Sequence, residues 1–254
     1  NARPYYNGYY SDREGNQKAA NHVVMLRNTS KGHSLYTTFQ LQKNFVDGIL
    51  KGLYLNGSYS FGQSRGVTDG TSSVATSAWK YRAALDGNAE EVGYTAGSFD
   101  GRLLLSASYT ANWSKYAATS FGLIYQRYRP FRYSYCYNGD ANGDSQFSND
   151  LMYIPANFDE VKDHLLPGDF DSQEDAWKAM NAFIEQDPYL SKHRGEYAER
   201  NGAVAPFANQ LDLSVSHDIK IYQKNGRSHT LRFSFNIANF LNLLNRNWGV
   251  VQTT

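Results

Sequence analysis

Side-chain oxygens stand at alternate positions in Asp140-x-Asn142-x-Asp144, with Asn149 and Asp150 downstream in the same glycine-bearing stretch. Oxygen ligands so spaced can wrap a hard cation such as Ca²⁺. The match to a calcium loop is incomplete. Ser145 holds the usual glycine position, Leu151 stands where a bidentate Glu is needed, and Asp150 falls one place early. Asn, Asp and Gly also build Asx turns without any metal. The stretch therefore reads either as a calcium loop or as a self-bonded turn, and calcium is the one candidate cofactor.

A second group, His193, Arg194, Glu196, Glu199 and Arg200, gathers charge within eight positions. It reads either as a ligand contact or as a salt-bridged loop. Constellations for catalysis are missing. His217 and Asp218 are merely adjacent, and the sequence has no G-x-S-x-G elbow, H-E-x-x-H pair or phosphate-binding glycine loop. No enzyme activity is expected. Cys136 is the single cysteine, which excludes an intramolecular disulfide and a multi-cysteine metal site. It reads as a strand residue rather than a reactive thiol, which would need an electropositive setting.

The elements that carry these residues are legible in composition and period. Twenty Tyr, 14 Phe and 4 Trp occur among Ser, Thr, Asn and Gly, the vocabulary of a half-buried pleated surface. A formal charge of +1 leaves no global field for nucleic acid, so none is expected as a partner. No run approaches 18 apolar residues, which excludes a transmembrane helix but not membrane strands, whose average hydropathy stays low. Asn1-Ala2-Arg3-Pro4 does not resemble a signal peptide, and the chain is expected to be a fragment or mature portion of a longer polypeptide.

Six period-two segments follow. Leu35, Thr37, Phe39 and Leu41 oppose Tyr36, Thr38, Gln40 and Gln42; Leu53, Leu55, Gly57, Tyr59 and Phe61 oppose Tyr54, Asn56, Ser58 and Ser60. The pattern returns around Leu103–Thr110, Phe121–Gln126, Leu211–Ser216 and Leu231–Ile237, with a further short strand expected at His22 to Leu26. Small polar residues opposite large apolar ones fit a soluble sandwich facing its core or a membrane barrel facing lipid.

The connections separate the two. Val46-Asp47-Gly48, Asn112 to Lys115, and Lys224-Asn225-Gly226-Arg227 are short joins, whereas Gln63 to Asp100 and Pro130 to Pro206 are long. Short and long alternate strictly, as in outer-membrane barrels with short periplasmic turns and long extracellular loops. About 11 residues per strand, tilted near 45°, cover the roughly 25 Å apolar band. Phe45, Trp113 and Tyr116 near the short turns, and Phe61, Tyr128 and Phe131 toward the long loops, are placed for interface girdles. Within the longest insertion, Asp171 to Asp187 predicts a helix capped by Ser172, with Trp177, Met180, Phe183 and Ile184 packing onto their own loop.

Five stretches then resemble the C-terminal barrel of TonB-dependent receptors, specifically the Oar-like branch: Leu55 to Gly62, Asp69 to Ser73, Asn138 to Asp144 with Asn149 to Pro155, Arg194 to Gly202, and Phe240 to Asn245 with Trp248-Gly249. The resemblance implies that residues 1–254 are the C-terminal portion of an antiparallel, all-β transmembrane barrel in the outer membrane of a Gram-negative cell. It implies active uptake of a nutrient ligand, with outer-membrane lipid and TonB as partners and a surface lipoprotein as a further candidate. A family barrel of about 22 strands exceeds the six or seven here, so plug, TonB box and remaining strands are expected outside this sequence. The alternative is a surface protein whose loops bind a partner or calcium, with the barrel as anchor.

Overall fold

The fold was obtained as a computed structural model, which describes residues 9–11, 17–19, 26–70, 72–143, 146–222 and 228–252. The expected strand at His22–Met25, the Lys224–Arg227 turn and Asp144 lie outside the described residues. Strands take 41% of the chain against 14% for helices, which settles the class as mostly β.

All six period-two segments form long strands: β1 (Gly32–Asn44), β2 (Leu53–Gly66), β3 (Phe99–Asn112), β4 (Ala117–Tyr128), β5 (Ala208–Tyr222) and β6 (Ser228–Ile237). They lie in sequence order in one antiparallel sheet, with the two-residue strand Gly93–Tyr94 paired to the end of β2. The sheet is open, with β1 and β6 at its edges among the described residues.

Register keeps like with like. Leu105 pairs with Tyr125, Ala107 with Leu123 and Tyr109 with Phe121, and the same rows continue through Leu123–Leu213 and Phe121–Val215 to Val215–Phe235 and Leu213–Ile237. A one-residue slip would turn each strand's apolar set to the other side, so this pairing is strongly specified. One irregularity falls between Ser60 and Gly62 of β2. There the Tyr36 ring stacks on Phe99, and a Cβ added to Gly62 would lie 2.1 Å from that ring. The glycine makes room for the aromatic pair.

The turn between β3 and β4 is as short as its sequence predicts: Trp113 N donates to Ala117 O, and Ser114 Oγ accepts from the N–H groups of Tyr116 and Ala117. The join between β1 and β2 is longer than the expected Val46-Asp47-Gly48, running from Phe45 to Gly52. Gly52 explains the difference. Its φ of 91° suits glycine, and a Cβ there would meet Thr110 O at 2.7 Å, so the turn closes where the chain can approach β3.

The chain divides into two compact units. One comprises Leu35–Gln63, Phe99–Phe131 and Ala205–Thr254, and holds nearly all of the sheet. The other comprises Asn1–Ser34, Ser64–Ser98 and Arg132–Val204, and so takes both long connections. It has a small core of Ile154, Ile184, Leu190 and Ala198, with Tyr135, Met152, Met180 and Tyr189 packed on it. Helix α1 (Ala75–Lys80) has no sequence signal; α2 (Gln173–Gln186) has every expected feature. Ser172 Oγ accepts from Asp175 N at 3.1 Å, Glu174 and Asp175 occupy the first turn, and Ile184 is wholly buried.

Candidate functional site

The sheet has two chemically opposed faces, and the apolar one is left exposed. Leu35, Phe39, Leu41, Leu55, Tyr59, Leu105, Tyr109, Phe121, Leu123, Val215, Ile219, Leu231, Phe233 and Phe235 are all exposed, reaching 80% at Leu41 and 65% at Phe39 and Phe235. Among the described residues, the buried apolar ones of the sheet unit are only Ala205 and Ala208, and every large buried aliphatic side chain belongs to the other unit. A water-soluble chain rarely leaves a contiguous apolar surface of this extent, because covering it is the main driving force of folding.

The opposite face is knit by polar side chains. Thr38 and Ser60 hydroxyls lie 2.9 Å apart, Gln40 Nε2 donates to Asn56 Oδ1, and Thr110 and Ser120 hydroxyls bond at 2.9 Å. A relay crosses the sheet: Arg102 donates to Gln126, Gln126 donates to Gln210 and Gln210 donates to Asp212. Arg232 grips Asp218 with two bonds, 2.6 and 2.7 Å. These groups satisfy one another, so the face does not need a protein layer upon it.

Polar atoms on the apolar face gather toward the short-turn end. Trp113 Nε1 donates to Thr119 Oγ1 at 2.7 Å, and that hydroxyl lies 2.8 Å from His217 Nδ1. In the expected pattern of strand-end aromatics, Trp113 and Tyr116 are exposed at this end and Phe61 and Phe131 at the other, while Phe45 is half-buried. Tyr128 departs from it. Its register partner is Arg102, whose guanidinium carbon stands 6.0 Å from the Tyr128 ring, so Tyr128 belongs to the polar face.

In the loop unit, Asp150 organises the candidate calcium stretch. Its carboxylate accepts from the backbone N–H groups of Ala141 and Asn142 and from Asn142 Nδ2. Asp140 Oδ1 accepts from Gly143 N, three residues on, at 2.7 Å, and buried Asn149 donates Nδ2 to Lys80 O. Among the described residues no three His, Cys, Asp or Glu side chains converge as a metal centre. Cys136 pairs its backbone with Leu151 beside this loop. Burial first, and the Asp150 carboxylate second, push its thiol up to about 11.

The five residues of the charged group go separate ways. Arg200 is buried and donates to the carbonyls of Val67, Gly66 and Gly93. Burial draws its guanidinium below the usual value, with Asp69 and Glu91 opposing. Gly93 permits the approach, since a Cβ there would lie 2.8 Å from Arg200 Cβ. Glu199 pairs with Arg65, whose guanidinium carbon stands 4.4 Å from the Tyr94 ring; that of Arg132 lies 4.1 Å from the same ring. Arg194 donates to Asn181 Oδ1 and Pro155 O, His193 stacks on Tyr189, and Glu196 pairs across to Ile154 in a two-residue ladder. The group ties separate loop segments to one another.

Two features had no signal in the sequence. Arg127 and Arg129 stand over the ring of Phe207, with guanidinium carbons 4.3 and 4.2 Å from its centre. After β6, Asn239 adopts a left-handed conformation (φ 54°), donates its backbone N–H to Asp212 Oδ1 and donates Nδ2 to Gly249 O. Neither pairing has a local spacing that marks it. Compared with family models, curated proteins and solved structures, the chain matches none.

Proposed function

We propose that the sheet is part of the wall of an outer-membrane β-barrel, and that the parent polypeptide is a TonB-dependent transporter that takes up a nutrient ligand. The observation that carries this reading is the inverted sheet, with its apolar rows exposed across six strands and its polar rows bonded to one another. Lipid satisfies such a surface at no cost to the backbone, whose ladders already pair the strand interiors. Alternation of short turns with long connections agrees with a barrel whose loops lie on one side. TonB coupling and uptake rest on the sequence resemblance.

Fractionation of cells carrying the native polypeptide tests the membrane part. Recovery at outer-membrane density, resistant to alkaline extraction, is the expected result; recovery in the soluble fraction contradicts it. Uptake is tested separately: growth on the transported nutrient is expected to fail when either this polypeptide or TonB is removed.

A second reading, a surface protein whose loop unit holds calcium, is favoured by one observation. Asn149 Oδ1 is buried with no hydrogen-bond partner among the described residues. Calcium added to chelator-stripped protein would then raise the melting temperature of the wild type but not of Asp140→Ala. No shift in the wild type removes this reading.

A further inference from the structure

At the long-connection end of the apolar face, the greasy row of β4 ends in a cation. Phe121, Leu123 and Tyr125 are followed two residues on by Arg127, which is exposed and pairs in register with Leu103 on one side and Asn209 on the other. Its guanidinium rests on Phe207, and no carboxylate lies within ion-pair range of it among the described residues. Arg129 shares the same ring. Two positive charges are thus held no farther apart than the two ring distances taken end to end.

Arg129 is both anchored and paired. Nη1 donates to Ala205 O at 2.8 Å, and Nε forms an ion pair with Asp100 Oδ2 at 3.7 Å without a hydrogen bond, so Arg127 carries the uncompensated charge of the two. Cation–π contact with Phe207 favours the charged form of both groups, and a guanidinium in such contact keeps planar N–H donors for a second partner. Paired forks of this kind match the oxygens of a phosphate, which a lysine ammonium would meet only as a point charge.

We infer that Arg127, Arg129 and Phe207 form a binding site for the phosphate of an anionic lipid headgroup, at the rim of the apolar face on the long-connection side. The inference rests on the membrane reading of the sheet. Its position argues for a lipid rather than a soluble anion: a lipid lying along Phe121, Leu123 and Tyr125 brings its headgroup to this height, about 6–7 Å beyond Tyr125. Basic residues at the edge of an apolar band are commonly held to anionic headgroups.

The probe is dioleoyl phosphatidic acid, titrated into the native polypeptide held in phosphatidylcholine bilayers, with tryptophan fluorescence and melting temperature as readouts. The wild type is expected to bind it at least about tenfold more tightly than Arg127→Gln/Arg129→Gln, with Arg127→Lys/Arg129→Lys between them. Circular dichroism of the Lys variant checks that the sheet is retained. Equal binding by wild type and Gln variant overturns the site, as does inorganic phosphate binding as tightly as the lipid. A native polypeptide that does not enter bilayers overturns the membrane reading and this inference together. A chain that enters, with binding undiminished in the Gln variant, overturns this inference alone.

Discussion

Phe121 and Val215 are direct partners across β4 and β5, and both remain exposed. In water, a phenyl ring beside a valine at the middle of a wide sheet would draw another layer over itself. In lipid the pair is already satisfied. Val215→Arg is therefore expected to destabilise the inserted chain by about 2–4 kcal/mol, the cost of Arg on a lipid-facing strand position near the bilayer midplane. Ser216→Arg, one residue along on the polar face, is expected to cost far less. Urea unfolding in bilayers compares the two, and equal effects would contradict the assignment of faces.

The loop unit has its own core, which a second pair of variants addresses. Ser172→Ala removes the side-chain acceptor at Asp175 N and is expected to cost about 1 kcal/mol, seen as faster amide exchange in the first turn of α2. Ile184→Ala empties a wholly buried position against Ile154 and Leu190 and is expected to cost about 2–5 kcal/mol. Exchange of sheet amides measured in the same experiment reports whether the loss stays in the loop unit.

Arg200 is expected to matter more than its place in a charged stretch suggests. Arg200→Met leaves the carbonyls of Gly66, Val67 and Gly93 short of donors, at about 1–3 kcal/mol for each one that stays buried and dry. Arg200→Lys is expected to recover little, because one ammonium cannot span the three acceptors. Thermal melting orders the three proteins, and a Lys variant equal to wild type would show that charge rather than the fork is needed.

Strand identity and facing were legible in the sequence because alternation at Leu103–Tyr109 or Leu231–Ile237 is a local signal, enforced wherever one face must differ from the other. The cap of α2 was legible for the same reason: Ser172 and Asp175 are three residues apart. Pairings such as Arg200 with Gly66, or Arg129 with Phe207, join positions far apart in the chain, and nothing in their neighbourhoods marks them. The charged group at 193–200 reads in sequence as either a ligand contact or a salt-bridged loop because its members are adjacent, and adjacency does not say where each points: an irregular loop aims adjacent side chains in different directions. The length of the first turn was set by Gly52 closing on Thr110, a tertiary contact.

The Cys136 thiol, held up to about 11 by burial and Asp150, is expected to be slow toward iodoacetamide at neutral pH, with on the order of a hundredfold less thiolate than an ordinary cysteine. Because the folded chain keeps this proton more tightly than the unfolded chain, stability falls as pH rises through the window from the ordinary thiol value of 9.0 toward 11. Below that window the thiol is protonated in both states and contributes no pH dependence. Asp150→Asn removes the second cause and is expected to speed alkylation; an unchanged rate would leave burial as the whole cause.

The central claim, that the exposed apolar rows meet lipid, is tested most directly along β6. With Cys136 replaced by serine, single cysteines at positions 231 to 237 are labelled with a fluorophore in the native membrane-held polypeptide, then quenched either by a lipid-bound or by a water-soluble agent. Lipid quenching is predicted at 231, 233, 235 and 237, and aqueous quenching at 232, 234 and 236. Water-soluble quenching of equal strength at both sets would contradict it.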